Sequence, residues 1–170
     1  MTPSRGSDKL AAGNSNAVTR ELEKLFKNIL IPTDGSDSSQ RAIRMGLELA
    51  KLHGSHITGI HVIPDYHLLI AYEGAFDPIT EERIEQEAKS RAQTYLDFMH
   101  RVAAEANVPC DTVCETSDHP YEAILRTAEA KGCDLILMTS HGRKGLAAVL
   151  LGSETRKVLT HSKVPVLIVR

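Results

Sequence analysis

The sequence predicts an α/β domain built on a doubly wound, five-stranded parallel sheet flanked by helices, and three observations carry that prediction. Short apolar runs of strand length alternate with longer segments whose apolar residues recur at helical spacing. The short runs are apolar throughout rather than at every second position, which is the pattern of strands buried on both faces. A length of 170 residues with 42% hydrophobic content sets the scale at one domain with a sizeable core.

The elements follow in order. Residues 1–17, MTPSRGSDKLAAGNSNA, are rich in Ser, Gly and Asn without periodicity and read as a flexible extension. Val18, Leu22, Leu25 and Phe26 recur at helical spacing and predict a short helix leading in, so the chain divides into an extension, 1–26, and one domain, 27–170. Asn28-Ile29-Leu30-Ile31-Pro32 is a buried strand ended by proline. Asp37 with Gln40 forms a capping-box pattern for the first helix, whose inner face is Ile43, Leu47 and Ala50 and whose stop is His53-Gly54. A second strand, Ile57 to Ile63, ends at Pro64. The connection 64–79 is long and carries Leu68, Leu69, Ile70, Tyr72 and Phe76, which suits either a lid or a small satellite cluster. A long helix over about 80–107 turns Ile84, Ala88, Ala92, Tyr95, Leu96 and Met99 inward. The third strand covers about 111–115. Asp118-His119-Pro120 opens a helix through Ile124, Leu125 and Ala128 to Lys131-Gly132. Asp134-Leu135-Ile136-Leu137-Met138 is the fourth strand, and Val164-Pro165-Val166-Leu167-Ile168-Val169 is the last.

Composition excludes several classes. A formal net charge of −2 gives no clustered basic excess for nucleic acid, and 4% aromatic residues leave few platforms for stacking on single strands. No run approaches the roughly 20 apolar residues of a membrane helix, and no signal-peptide pattern opens the chain, so neither membrane nor export is expected and a cytoplasmic location is. Cys110, Cys114 and Cys133 are an odd number of cysteines, expected as reduced thiols filling small core gaps rather than as a disulfide framework or a zinc set. His53 and His56 lack a completing carboxylate and are expected on the solvated surface.

The stretch after the fourth strand carries the chemistry. Thr139-Ser140-His141-Gly142 ends the strand, nine residues follow, and Gly152-Ser153 opens a helix in which Val158 and Leu159 can face inward, with Ser153 expected as its N-cap. The first N–H groups of a helix lack intrahelical partners and carry partial positive charge, so they attract an anion such as phosphate. Arg143, Lys144, Arg156 and Lys157 add cations against one nearby carboxylate, Glu154. At the end of the first strand, Asp34 places a carboxylate where the chain leaves the sheet, as an Asx-turn, a helix cap or a ligand contact. No nucleophile, base and orienter come together, so a hydrolytic or transfer enzyme is not supported, and the Gly-Lys-Ser/Thr ending of a P-loop is absent.

Gly142, the nine-residue spacer, Gly152 and Ser153 resemble the nucleotide-binding signature of the universal stress protein family, in which Gly, two residues, Gly, nine residues, Gly and Ser/Thr follow strand four. Thr139 stands where the family has its first glycine. With right-handed crossovers, the resemblance implies a Rossmann-like sheet of order 3-2-1-4-5, which brings Asp34 and Thr139 to the crevice where such sheets bind ligands. It further implies that Pro32, Thr33, Asp34 and Val62 of the His61-Val62 pair take the nucleoside of ATP. Thr139, Gly142, Arg143, Gly152, Ser153, Glu154 and Thr155 would take its phosphates, with Mg or Mn bound through them. A role in the stress response and a homodimer through 164–169 are implied as well. Two other functions stay open: an interaction module that uses the fold without nucleotide, and, from a fainter likeness of Thr33-Asp34-Gly35-Ser36-Asp37-Ser38 to a pyrophosphate loop, an enzyme of the ATP pyrophosphatase type.

Overall fold

The computed structural model describes residues 26–65, 78–140 and 151–170. Within them the chain runs β1 (Asn28–Pro32), α1 (Asp37–His53), β2 (His56–Ile63), α2 (Pro78–Glu105), β3 (Cys110–Thr116), α3 (Pro120–Ala130), β4 (Leu135–Thr139), α4 (Ser153–His161) and β5 (Val166–Val169). The sheet has the order β3-β2-β1-β4-β5 with every adjacent pair parallel, as the sequence predicted.

Successive side chains of a strand point to opposite faces, so the unbroken apolar runs feed two cores. Ile29, Ile31, Ile57, Leu135 and Leu137 meet Ile43 and Leu47 of α1 and Met99 of α2 on one face. Leu30, Ile60, Ile136 and Met138 meet Ile124 of α3 and Val158 of α4 on the other. Burying each of the large side chains contributes about 1.5–3 kcal/mol. Close approach of α1 to the sheet is possible because Gly46 has no side chain: a Cβ there would overlap Ile31 Cδ1.

The ends of the helices differ in detail from the pattern in the sequence. Ser36, not Asp37, caps α1: its Oγ accepts from Ser39 N at 3.2 Å while it donates to Asp34 Oδ1 at 2.6 Å. Both residues are good caps, and the contact to Asp34 decides between them. Gly152, not Ser153, occupies the cap position of α4, because Gly152 N is tied to Ser140 O at 2.8 Å and Ser153 is already helical. At the other end of α2, Asn107 turns the chain with φ of 54°, a left-handed conformation that asparagine tolerates.

Three expectations about surface and core are corrected. Val158 faces inward from α4, but Leu159 beside it is exposed. Only Cys133 is buried; Cys110 is half-buried and Cys114 exposed, both on β3, the edge strand among the described residues. His53 and His56 are half-buried rather than solvated. The ring of His53 stands edge-on to Phe26 at 5.8 Å, and its buried Nδ1 has no hydrogen-bond partner among the described residues. His56 Nε2 pairs with Asp111 Oδ2 at 3.2 Å. Among the described residues no helix is long and apolar enough to cross a membrane, and no group of three His, Cys, Asp or Glu side chains could hold a metal ion.

Candidate functional site

The sheet opens where β1 and β4 part. Their ladder holds only Ile29↔Leu135 and Leu30↔Ile136, whereas β1 continues against β2 to Pro32 and β4 continues against β5 to Thr139. The connections of β1 and β4 then leave to opposite faces, through α1 and α4, which lie in different cores. A crevice at the carboxyl ends of two such strands is the ligand position of open α/β sheets.

On the β1 side every polar atom of Thr33 is tied down. Its N–H donates to Ile60 O at 2.8 Å, its carbonyl is bound by His61 Nδ1 at 2.7 Å, and its hydroxyl pairs with Ser39 Oγ at 3.1 Å and accepts from Gly35 N at 3.2 Å. Asp34 forms the predicted Asx-turn, its Oδ1 accepting from Ser36 N at 3.0 Å and from Ser36 Oγ. Pro32, Thr33 and Asp34 are therefore a fixed ledge at the mouth of the crevice.

Val62 lies beside that ledge, and its backbone direction follows from its neighbours. In a parallel ladder alternate residues present both N–H and C=O to the same side. His56 N bonds Lys27 O and Ile60 O accepts from Thr33 N, so even-numbered positions of β2 face β1. Ile57 N bonds Pro109 O and Ile63 O accepts from Ser117 N, so odd positions face β3. Val62 thus presents its N–H and C=O toward β1, one step past the last rung between those strands.

On the β4 side, α4 is stitched to the strand end. Gly152 N donates to Ser140 O, and the buried Thr155 hydroxyl donates to Thr139 O at 2.9 Å. These bonds hold the first turn of α4 over the end of β4, where the N–H groups of Ser153, Glu154 and Thr155 are the ones helix geometry leaves without intrahelical acceptors. Glu154 turns its carboxylate away from that turn. Its Oε2 accepts from Tyr121 N at 3.0 Å and its Oε1 pairs with Lys157 Nζ at 2.9 Å. It so supplies the cap that α3 lacks locally, since His119 makes no capping bond. Lys157 Nζ also sits 5.1 Å from the centre of the Tyr121 ring. The Tyr121 hydroxyl donates to Glu122 at 2.7 Å, and this bond raises its pKa above the ordinary value.

Of the residues selected from the sequence, the structure thus brings Pro32, Thr33, Asp34, Val62, Thr139, Gly152, Ser153, Glu154 and Thr155 to one end of the sheet, while Gly142 and Arg143 lie outside the described residues, as do His141 and most of 64–79. Sequence reading set Lys157 against Glu154 but missed Tyr121 as its other partner, and missed His61 and Tyr95 as supports of Thr33 and Gly35. The His61-Val62 pair was the one available signal. Cysteine nucleophiles gain no support: burial, with Asp111 adding, pushes the Cys110 thiol up to about 11, and burial also raises Cys114 and Cys133.

A universal stress protein of Methanocaldococcus jannaschii is 33% identical over 156 residues, covering 91% of this chain and 88% of that protein. One from Thermus aquaticus is 32% identical over 86% of this chain and all of its own length. Among solved structures, the hypothetical protein MJ0577 superposes with a TM-score of 0.72 at 27% identity, covering 85% of this chain and 96% of that one. A family protein from Arabidopsis thaliana with AMP bound superposes at 0.60, with 19% identity over 84% and 90% of the two chains, a likeness of fold. The profile of the universal stress protein family matches residues 25–170, and the chain belongs to that family.

Proposed function

We propose that the protein binds an adenine nucleotide, ATP foremost, in the crevice between β1 and β4, and acts in the stress response as a nucleotide-dependent regulatory or protective module. The observation that carries the proposal is the convergence at the switch point: the fixed Asp34 ledge, the β1-facing backbone of Val62 and the amino end of α4 share one opening. Pro32, Thr33, Asp34 and Val62 hold the nucleoside in this reading, the Val62 backbone offering one donor and one acceptor to the edge of adenine. Thr139, Gly142, Arg143, Gly152, Ser153, Glu154 and Thr155 hold the phosphates. Glu154 contributes its backbone N–H, since its carboxylate is already engaged by Tyr121 N and Lys157. Mg or Mn enters on the phosphate oxygens. Neighbouring solved structures of universal stress proteins in complex with dAMP and cAMP, and the one with AMP, support adenine as the base.

A thermal-unfolding titration with ATP and Mg tests this. Stability should rise with the logarithm of ATP concentration, reaching about 2.7 kcal/mol at 100 times the dissociation constant, or on the order of 8 °C. No shift at millimolar ATP refutes nucleotide binding and favours an interaction module; release of pyrophosphate would instead reveal an enzyme.

The same reading includes a homodimer through the last strand. Among the described residues β5 is a sheet edge that pairs only with β4, and Leu167 on it is 40% exposed. Val166 and Ile168 pack against the chain's own core, so Leu167 is the residue that probes the contact without damaging the fold. Sedimentation should show a wild-type dimer at micromolar concentration and a folded monomer for Leu167→Lys; a monomeric wild type refutes the dimer.

A further inference from the structure

We propose that His61 is a positioning residue for the nucleoside: by taking the Thr33 carbonyl it both locks the Asp34 ledge and leaves the Val62 N–H for the base. This inference rests on the nucleotide reading of the crevice. It starts from a rung that the ladder does not make. After Thr33 N donates to Ile60 O, a regular parallel ladder would next give the Thr33 carbonyl to Val62 N–H. That carbonyl instead accepts from His61 Nδ1 at 2.7 Å. A carbonyl oxygen only accepts, so Nδ1 must carry the proton. The imidazole stands in for the missing rung, and β1 can leave the sheet at Thr33 without orphaning a carbonyl.

His61 is itself held. Odd positions of β2 turn their side chains toward α2, where the His61 ring lies edge-on to Tyr95, with centroids 5.2 Å apart at 71°. Tyr95 also packs directly on Gly35, because a Cβ on Gly35 would overlap its ring. One aromatic side chain of α2 thereby braces both the histidine and the turn that follows Asp34. Neither His61 nor Tyr95 needs to touch the ligand for this; each acts through Thr33, Asp34 and Val62.

Because the device shapes the nucleoside side alone, its loss should weaken adenosine, AMP and ATP by one common factor. Calorimetric titration of these three ligands into wild type, His61→Asn, His61→Gln and His61→Phe tests that. The asparagine amide nitrogen can occupy the Nδ1 position, whereas the glutamine amide reaches the Nε2 position. Asn should bind all three within about threefold of wild type, while Gln and Phe should lose on the order of tenfold equally across the series. A loss growing from adenosine to ATP, an Asn variant as weak as Phe, or an unaffected Phe variant overturns the role. Long-range 1H–15N spectra of the free wild-type protein give a second readout: the Nδ1–H tautomer is expected, and the Nε2–H tautomer overturns the proposal without any variant. A wild type that binds none of the three ligands defeats the nucleotide reading itself, an outcome distinct from wild-type binding that His61→Phe leaves unchanged.

Discussion

Gly35→Val is expected to destabilise the protein by about 3–5 kcal/mol, a large fraction of the stability of a typical domain. Gly35 has φ of +79°, a conformation that a β-branched residue adopts only under strain, and its missing side chain is where the Tyr95 ring lies. The two costs can be separated. Tyr95→Ala combined with Gly35→Ala should relieve the overlap but not the backbone strain, so a double-mutant cycle should show a favourable coupling of about 1–2 kcal/mol. Urea denaturation measures both. A Gly35→Val protein as stable as wild type would mean that the turn after Asp34 is not braced as described.

The second large effect is on ligand. Gly152→Asp should weaken ATP on the order of 100-fold, since a carboxylate a few ångströms from the phosphates costs several kcal/mol before screening. The fold itself tolerates the change, because Gly152 caps α4 with φ of −55° and ψ of 152°, which any residue can adopt. Asp and Asn are both favoured at that position and should hold or raise the melting temperature. Gly152→Asn is therefore the control: same shape, same cap, no charge. Calorimetry should find Asn within about tenfold of wild type and Asp far weaker. Equal losses for Asp and Asn would make the effect steric and would move the phosphates away from the amino end of α4.

The features written locally in the chain were legible, and those made by distant contacts were not. Runs such as Ile29-Leu30-Ile31 and Leu135-Ile136-Leu137 declared strands buried on both faces because both faces are buried. The Asx-turn of Asp34 is a contact over two residues, and it followed from residue type. By contrast, two adjacent residues competed to cap α1, and the winner was set by a bond to Asp34 that a one-dimensional pattern does not rank. Exposure of Cys114 goes with the edge position of β3, which strand order sets and residue type does not. Glu154 looked like a lone carboxylate beside an anion site, yet its partner Tyr121 N is 33 residues away and belongs to another helix. The Thr33–His61 bond spans 28 residues in the same way. Such partners become visible only once strand order and register place the elements side by side.

The most direct test of the account is a 1H–15N titration of the full-length protein with ATP and Mg, because it reports both whether the ligand binds and where. Binding in the crevice predicts saturable shifts of the backbone amides of Asp34, Val62, Gly152, Ser153, Glu154 and Thr155, with the β3 edge from Cys110 to Thr116 largely unmoved. Unchanged amides at millimolar ATP, or shifts gathered away from the carboxyl ends of β1 and β4, would contradict it.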